Sequence, residues 1–320
     1  MSSVAAGQTS ASIVRRVREL APQASAGHVS GQHVVSKVIL SRFAGVSGPE
    51  AGLLYPFRLR YPGARHRLLG PDGCGKVPDF ISYASGSAER LWKQTEDRLH
   101  DALTALDSGT LPASAMRQAA IKDAIALHYA RSTAARILHF RTFVQVYAAS
   151  RALWMTDWRP RLEAAFYQAK GFYAAGDQAL GRFLDEVMQP SLDMAASGQL
   201  FRVRVEEIYR QARAWISGSA LEILSPDDSE FLIGDVPALT IRRGCPQPGV
   251  AAGIALGDAS TVIMPLGPRH LAALARTSLT AQLTPEQVAA ANSYQVKGAA
   301  EYVWLRPGSG LEEFVRSLLR

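Results

Sequence analysis

Phe231-Leu232-Ile233-Gly234-Asp235-Val236-Pro237, with its counterpart Val262-Ile263-Met264-Pro265-Leu266-Gly267-Pro268, decides the fold class. Each is a short apolar run, long enough for one buried strand, that stops at glycine and proline. Pro237 pushes Val236 toward an extended conformation, and Gly234 tolerates backbone angles that other residues avoid. Asp235 is therefore expected in a fixed pose at the end of a strand. A carboxylate at such a place either does chemistry or caps a turn.

Outward from these runs the period is that of strands at 221–224, 230–233, 238–241, 261–264 and 302–305. The stretch 269–275 reads as a short helix. Thr284-Pro285-Glu286-Gln287 opens another, with a capping box and proline at the first helical position, and 311–319 reads as a terminal helix. Before 218 helices dominate. A helix over 91–106 places Trp92, Thr95, Leu99, Leu103 and Leu106 on one stripe, with Glu96 at its margin. One long helix is expected over 113–154, with His128, Arg131 and His139 on a shared face. A third starts after Pro160 and carries Leu162, Phe166, Tyr173, Leu180, Leu184 and Val187. A fourth carries Phe201, Val205, Ile208, Ala212 and Trp215. Alternation over 53–69, with a turn at Tyr61-Pro62-Gly63, predicts a hairpin, and 70–86 reads as loop.

Strands at both ends and helices between predict an α+β fold: a mixed or antiparallel sheet built from the N- and C-terminal thirds and packed against a helical middle. Residues 1–29, rich in Ser, Ala and Gly, read as a flexible N-terminal arm with a basic helix over 13–20 bearing Arg15, Arg16 and Arg18. Residues 30–320 read as a single α+β domain.

The 320 residues are 48% hydrophobic and 20% charged, a globular composition able to bury a sizeable core. Two distant cysteines, Cys74 and Cys245, exclude a disulfide framework or zinc knuckle and fit a reducing compartment. With no signal-peptide run and no membrane-length apolar stretch, a soluble cytoplasmic protein is expected. The formal net charge of +7, biased toward arginine, favours nucleic acid or nucleotides as partners. No HExxH, cysteine-pair or EF-hand pattern assigns metal ligands, and no motif names a cofactor. The glycine-rich 244–257 lacks a phosphate-loop signature and reads as a flexible connection. Cys74, within Asp72-Gly73-Cys74-Gly75, reads as mobile and reactive.

Six motifs run in order over residues 32–305. They are a histidine opening an apolar segment that ends Leu-x-x-Phe (His33 to Leu40 and Phe43), a helical glutamate (Glu96), and Arg131-Ser132. They continue with Gly234-Asp235-Val236-Pro237, Pro265-Leu266-Gly267-Pro268, and Asn292 ahead of the 302–305 strand. In order and spacing these motifs resemble a bacterial family known as domain of unknown function 4238. The chain departs from the family pattern at Val35 and Ser36, where a proline usually follows the histidine, and at Thr133, where a proline usually follows the arginine pair. It departs again at Gly234, which replaces a serine. The resemblance implies an effector of bacterial phage defence.

Joined in one pocket, His33, Glu96 and Asp235 would be catalytic and Arg131 and Asn292 substrate-binding. Histidine moves protons near neutrality, a carboxylate orients it, and arginine holds a phosphoryl group. That set suits a nuclease-like or nucleotide-directed hydrolase. The plainer reading makes Glu96 and Arg131 an interhelical ion pair, His33 a partner of a backbone carbonyl, and Asp235 a turn cap. The alternative function is a non-catalytic binding protein for an anionic ligand or protein partner.

Overall fold

The computed structural model describes residues 29–64, 66–275 and 280–320. The expected N-terminal arm, with its basic helix, lies outside the described residues except for Val29. The described chain opens with β1 (Gly31–His33), the single-turn α1 (Lys37–Leu40), β2 (Tyr55–Arg58) and β3 (Lys76–Pro78). The helical middle follows: α2 (Ser85–Asp107), α3 (Ala115–Ala130), α4 (Thr133–Met155), α5 (Arg159–Lys170), α6 (Asp177–Ala196) and α7 (Gln199–Ser217). Then come β4 (Ala220–Pro226), β5 (Ile233–Gly234), β6 (Leu239–Ile241), β7 (Thr261–Gly267), β8 (His270–Ala275) and β9 (Thr280–Leu283). The chain closes with α8 (Pro285–Gly298), β10 (Tyr302–Leu305) and α9 (Leu311–Leu318).

This is the expected α+β class, with the strands distributed over three sheets. β1 pairs antiparallel with β3, setting His33 opposite Lys76. A three-stranded antiparallel sheet, β2-β10-β5, joins the N- and C-terminal parts of the chain. A five-stranded mixed sheet, β6-β7-β8-β4-β9, is drawn wholly from the C-terminal third, with β4 and β9 parallel. The hairpin expected over 53–69 is replaced by the pairing of β2 with β10; only one antiparallel bridge, Leu54 to Leu69, closes that segment.

The 231–241 stretch divides between sheets. Ile233 and Gly234 pair with Trp304 and Val303, whereas Leu239–Ile241 pair with β7. Pro237, which has no N–H to give to a ladder, lies in the crossing. Phe231 and Leu232 are buried yet fall outside the strand: the Phe231 N–H donates to Pro268 O (2.9 Å), and from Glu230 and Leu232 onward side chains of α8 serve as the neighbour. Asn292 Oδ1 accepts the Leu232 N–H (3.0 Å) and its Nδ2 donates to Glu230 O (2.8 Å). One turn on, Gln295 Oε1 accepts the Gly234 N–H (3.0 Å) and its Nε2 donates to Pro237 O (3.1 Å). Residues three apart share a helix face, so α8 acts as a side-chain strand. The capping box at Thr284 and Gln287 that starts α8 forms as expected.

The helical middle departs from its expected boundaries. The 113–154 helix breaks at Arg131-Ser132. Arg131 N–H closes α3 on Leu127 O (2.8 Å), and Ser132 Oγ caps α4 by accepting the Ala135 N–H (3.1 Å). A serine able to bond its own backbone ends one helix and restarts another. The helix after Pro160 is also two, separated at Gly171 in a left-handed conformation (φ +79°), which leaves Tyr173 and Val187 exposed instead of on a buried stripe. The helix expected over 269–275 is instead β8. It lies between β7 and β4 with Leu271 to Leu274 all buried, and a continuous apolar run in a central strand carries no alternation to distinguish it from a buried helix. The α2 stripe is buried at Trp92, Thr95, Leu99, Leu103 and Leu106, as its spacing predicts.

One cluster of buried side chains runs from Val35 and Leu40 through Trp92, Leu99 and Ile125 to Phe201, Met264 and Trp304. Each fully buried large apolar side chain of this kind contributes about 1.5–3 kcal/mol. The segments before α2, the helical middle and both larger sheets share it. Replacing Asn292 by alanine leaves the buried Leu232 N–H without its acceptor and is expected to destabilise the protein by about 2 kcal/mol. Chemical denaturation of Asn292→Ala beside wild type checks this, and equal midpoints would contradict it.

Candidate functional site

Glu89, Trp92 and Glu96 follow one face of α2 at steps of three and four residues. Against that face stand the end of α3, which presents Arg131, and the residue before α1, Ser36. Arg131 is 1% exposed and Glu96 26% exposed. Arg131 Nη2 donates to Glu96 Oε1 at 2.7 Å and to Ser36 Oγ at 3.3 Å, while Ser36 Oγ donates to the same Glu96 oxygen at 2.5 Å. The guanidinium lies 4.9 Å from the centroid of the Trp92 ring, a cation–π contact. A buried guanidinium without a counter-charge carries a desolvation penalty of several kcal/mol. Glu96 supplies that counter-charge, the ion pair of the plainer sequence reading.

His128, one turn before Arg131, fixes Ser36 from behind. Its Nδ1 lies 2.7 Å from Ala124 O and its Nε2 3.0 Å from the Ser36 nitrogen. A carbonyl oxygen on one side and a backbone N–H on the other mean that Nδ1 donates and Nε2 accepts, so the imidazole is neutral. Burial first, then the Arg131 charge, pushes the His128 pKa down to about 4. Burial alone would raise the Glu96 carboxyl, but the Arg131 charge and the bonds from Ser36 and Arg131 outweigh it and hold Glu96 below the usual glutamate value. Glu89 has no such support. Burial pushes it above the usual value, with Arg131 opposing and Glu96 adding to the rise. For His33, burial, then Lys76 and Arg131, lowers the pKa, while Glu96 and Asp72 pull it the other way.

Four polar atoms around this cluster are shielded from solvent and have no hydrogen-bond partner among the described residues: His33 Nε2, Glu89 Oε1, Arg131 Nε and Thr133 Oγ1. Buried polar atoms are bonded in the great majority of cases, so four orphans in one neighbourhood mark a place built to meet something else.

Of the residues singled out from the sequence, Glu96 and Arg131 are in contact, and His33 is near enough for both charges to act on it. Asp235 stands apart from Arg131. Its Oδ1 accepts the Ala300 N–H (2.6 Å) and its Oδ2 accepts those of Glu301 (2.8 Å) and Tyr302 (3.1 Å), clamping the connection from α8 to β10. Burial raises its pKa, with the three donors opposing. Asn292 is buried against 230–232 with donor and acceptor both engaged. His139, expected on the face of His128 and Arg131, is carried away by the break between α3 and α4 and packs on the rings of Phe140 and Phe201. Cys74 is buried, which pushes its thiol up to about 11, so it is a protonated, unreactive thiol where a reactive one was expected. Ser36 and Glu89 were not foreseen. Glu89 lies seven residues before Glu96, a spacing that puts both on one helix face, and this was the available signal; Ser36 was marked only by standing where the family pattern has a proline.

Beside the cluster is a cavity of about 590 Å³, lined among others by Val34, Lys76, Thr133, Asp235, Tyr302 and Trp304. Val34 adjoins His33 in the chain, and Thr133 is two residues beyond Arg131. Among the described residues no group of three or more histidine, cysteine or acidic side chains is arranged to hold a metal ion. No helix among them is long and apolar enough to cross a membrane.

Residues 31–309 match the family described as protein of unknown function (DUF4238), and the chain belongs to that family. Comparison with curated proteins and with solved structures found no match.

Two outcomes follow from the buried charges. Arg131→Ala strands Glu96 without its counter-charge and is expected to destabilise the fold by about 3 kcal/mol or more, measured by denaturant titration. The second concerns His128. An unfolded histidine takes up a proton below its ordinary value of 6.5, while folded His128 stays neutral down to about 4. The unfolded state therefore holds more protons in that window. Stability is full above pH 6.5 and falls with pH toward 4, by on the order of 3 kcal/mol for this group. His33, His139 and His270, also lowered chiefly by burial, act in the same sense. Unfolding free energies at pH 7 and pH 4.5 should show the loss, and His128→Gln should lessen it; an equal loss in both proteins contradicts the assignment.

Proposed function

We propose that the Glu89–Glu96–His33–Arg131 cluster is the active site of a hydrolase acting on phosphodiesters or nucleotides. The observation that carries the reading is the opposite titration of two glutamates on one helix face. Glu96 is held below the usual glutamate value by Arg131, and Glu89 is pushed above it by burial. Carboxyls pushed apart in this way divide into a charge-bearing group and an acid. In the proposed reaction a water attacks phosphorus and gives a proton to the unpartnered His33 Nε2. The new P–O bond forms as the bond to the leaving oxygen breaks, and Glu89 gives that oxygen its proton. Arg131, fixed by Glu96 and Ser36, offers its unpartnered Nε–H to a phosphoryl oxygen. Asp235 and Asn292 have no proton role in this scheme, since their polar atoms are engaged with the backbone.

The basic balance of the chain, +7, is consistent with an anionic substrate. An enzyme of this kind, located in the bacterial cytoplasm and destructive to nucleic acid or nucleotides, would serve as an effector of phage defence. A second reading, a non-catalytic protein that holds an anionic ligand, is favoured by the charge of Arg131 being already met by Glu96.

Turnover of bis(p-nitrophenyl) phosphate, short RNA and DNA, and nucleoside triphosphates tests the hydrolase. Removing a positioned acid or base is worth roughly a hundredfold or more in rate, so Glu89→Gln and His33→Ala should each lower kcat by at least that factor while keeping a near-native Tm. The pH profile should be bell-shaped, with His33 setting the acid limb and Glu89 the alkaline limb. Binding of these anions without turnover would establish the second reading. Full activity in both variants would remove the assignment. Phage challenge of a bacterial host expressing wild type or Glu89→Gln tests the defence role, which fails if both protect equally or neither does.

A further inference from the structure

The 590 Å³ cavity has a composition that the cluster beside it does not explain. One wall is aromatic. Tyr302 and Trp304, two residues apart on β10, project from the same face of the strand, with ring planes 11° apart and centroids 6.2 Å apart, and both line the cavity. The opposite character is supplied by Lys76 and Arg67, exposed side chains at its rim. Neither forms a hydrogen bond or ion pair with another described residue. The acidic groups that line it are already engaged: Asp235 by three backbone N–H groups, Glu301 by Arg58. The charge facing the cavity is therefore positive. Between the two stands Thr133, in the first turn of α4, whose buried hydroxyl is one of the four without a partner.

We propose that this cavity seats one nucleotide unit, its base on the face formed by Tyr302 and Trp304 and its phosphate between Lys76, Arg67 and the Thr133 hydroxyl. Aromatic walls take bases of any sequence by stacking, and lysine and arginine take the phosphate as charge and fork. Helix N-termini favour the same anion, and Thr133 opens one of 23 residues. The volume lies within the range of small-molecule sites, about 300–1,000 Å³. Val34 on its wall continues β1 beyond His33, and Lys76 faces His33 across the β1–β3 pair. A phosphate held by Lys76 thus lies on the side of the proposed catalytic histidine. The assignment deepens the hydrolase reading, on which it rests for the phosphate-bearing substrate. A free nucleotide and the terminal unit of a nucleic-acid strand offer the same chemistry.

Calorimetric titration of the full chain with adenosine 5′-monophosphate, adenosine, inorganic phosphate and a 5′-phosphorylated tetranucleotide tests it. The monophosphate should bind at least tenfold more tightly than adenosine or phosphate alone, and more weakly as salt rises. The double variant Lys76→Ala/Arg67→Ala should lose at least tenfold for the monophosphate and leave adenosine unchanged. Tyr302→Ala, at a partly exposed position, should weaken both. Tighter binding of the tetranucleotide than of the monophosphate, lost in the same variants, makes the strand end the natural source; the reverse order makes it the free nucleotide. Phosphate binding as tightly as the monophosphate, or the double variant binding as wild type does, overturns the proposal. So does the absence of monophosphate and tetranucleotide binding. The two readings fail separately. Nucleotide bound here without turnover sinks the hydrolase and keeps the cavity. Turnover with an unchanged KM in the double variant sinks the cavity and keeps the hydrolase.

Discussion

A guanidinium withdrawn from water has to be met by a negative charge, and the inner part of this protein is arranged around that requirement at Arg131. Its side chain is 1% exposed, its charge is met by Glu96 from α2, and its flat face is covered by Trp92 from the same helix. Ser36 joins the pair from the segment ahead of α1, and His128 holds the Ser36 N–H from the preceding turn of α3. Removing one partner of such a buried set is much more damaging than the set is stabilising as a whole. The position of α3 is thereby locked to α2 and to the first strands. Arg131 ends α3, and Ser132 starts α4 in a new direction.

The same arrangement makes two chemically identical side chains unlike. Glu89 and Glu96 stand two turns apart on α2. Glu96 bonds to Arg131 and Ser36 and titrates below its usual value; Glu89 is half-buried, its shielded Oε1 meets no donor among the described residues, and it titrates above that value. Contact with one guanidinium sets the two titrations apart. The difference depends on tertiary packing, since the helix itself treats the two positions alike.

What could be read in the sequence follows the range of the interaction. Local signals survived: the apolar stripe of α2, the capping box of α8 and the strand at 302–305 each depend on neighbours close in the chain, while the pairing of Glu96 with Arg131 followed from the need of a buried charge for a counter-charge. The class of fold survived with them. Readings that depended on distant partners did not. Nothing near residues 53–69 announces that β2 will pair with a strand some 245 residues later, and loop closure of that length leaves no local trace. The run at 271–274, apolar at every position, needs its neighbours β7 and β4 to become a strand. Asp235 and Asn292 were visible as polar residues beside strands, but the backbone groups that engage them come from 300–302 and 230–232. Ser36 was visible only as a departure from the family pattern, and the structure makes it the junction between Glu96, Arg131 and His128.

The use of Asn292 and Gln295 as substitutes for a strand has a consequence for the timing of local opening. The amides of Leu232 and Gly234 are bonded to side chains of α8 and not to a backbone ladder. Their exchange with solvent deuterium therefore waits on the detachment of α8, whereas the amides of β6, a few residues later, wait on the separation of the five-stranded sheet. Two stretches adjacent in the chain belong to different cooperative units of opening, and the border between them falls at Asp235 to Pro237, where the backbone crosses from one sheet to the other.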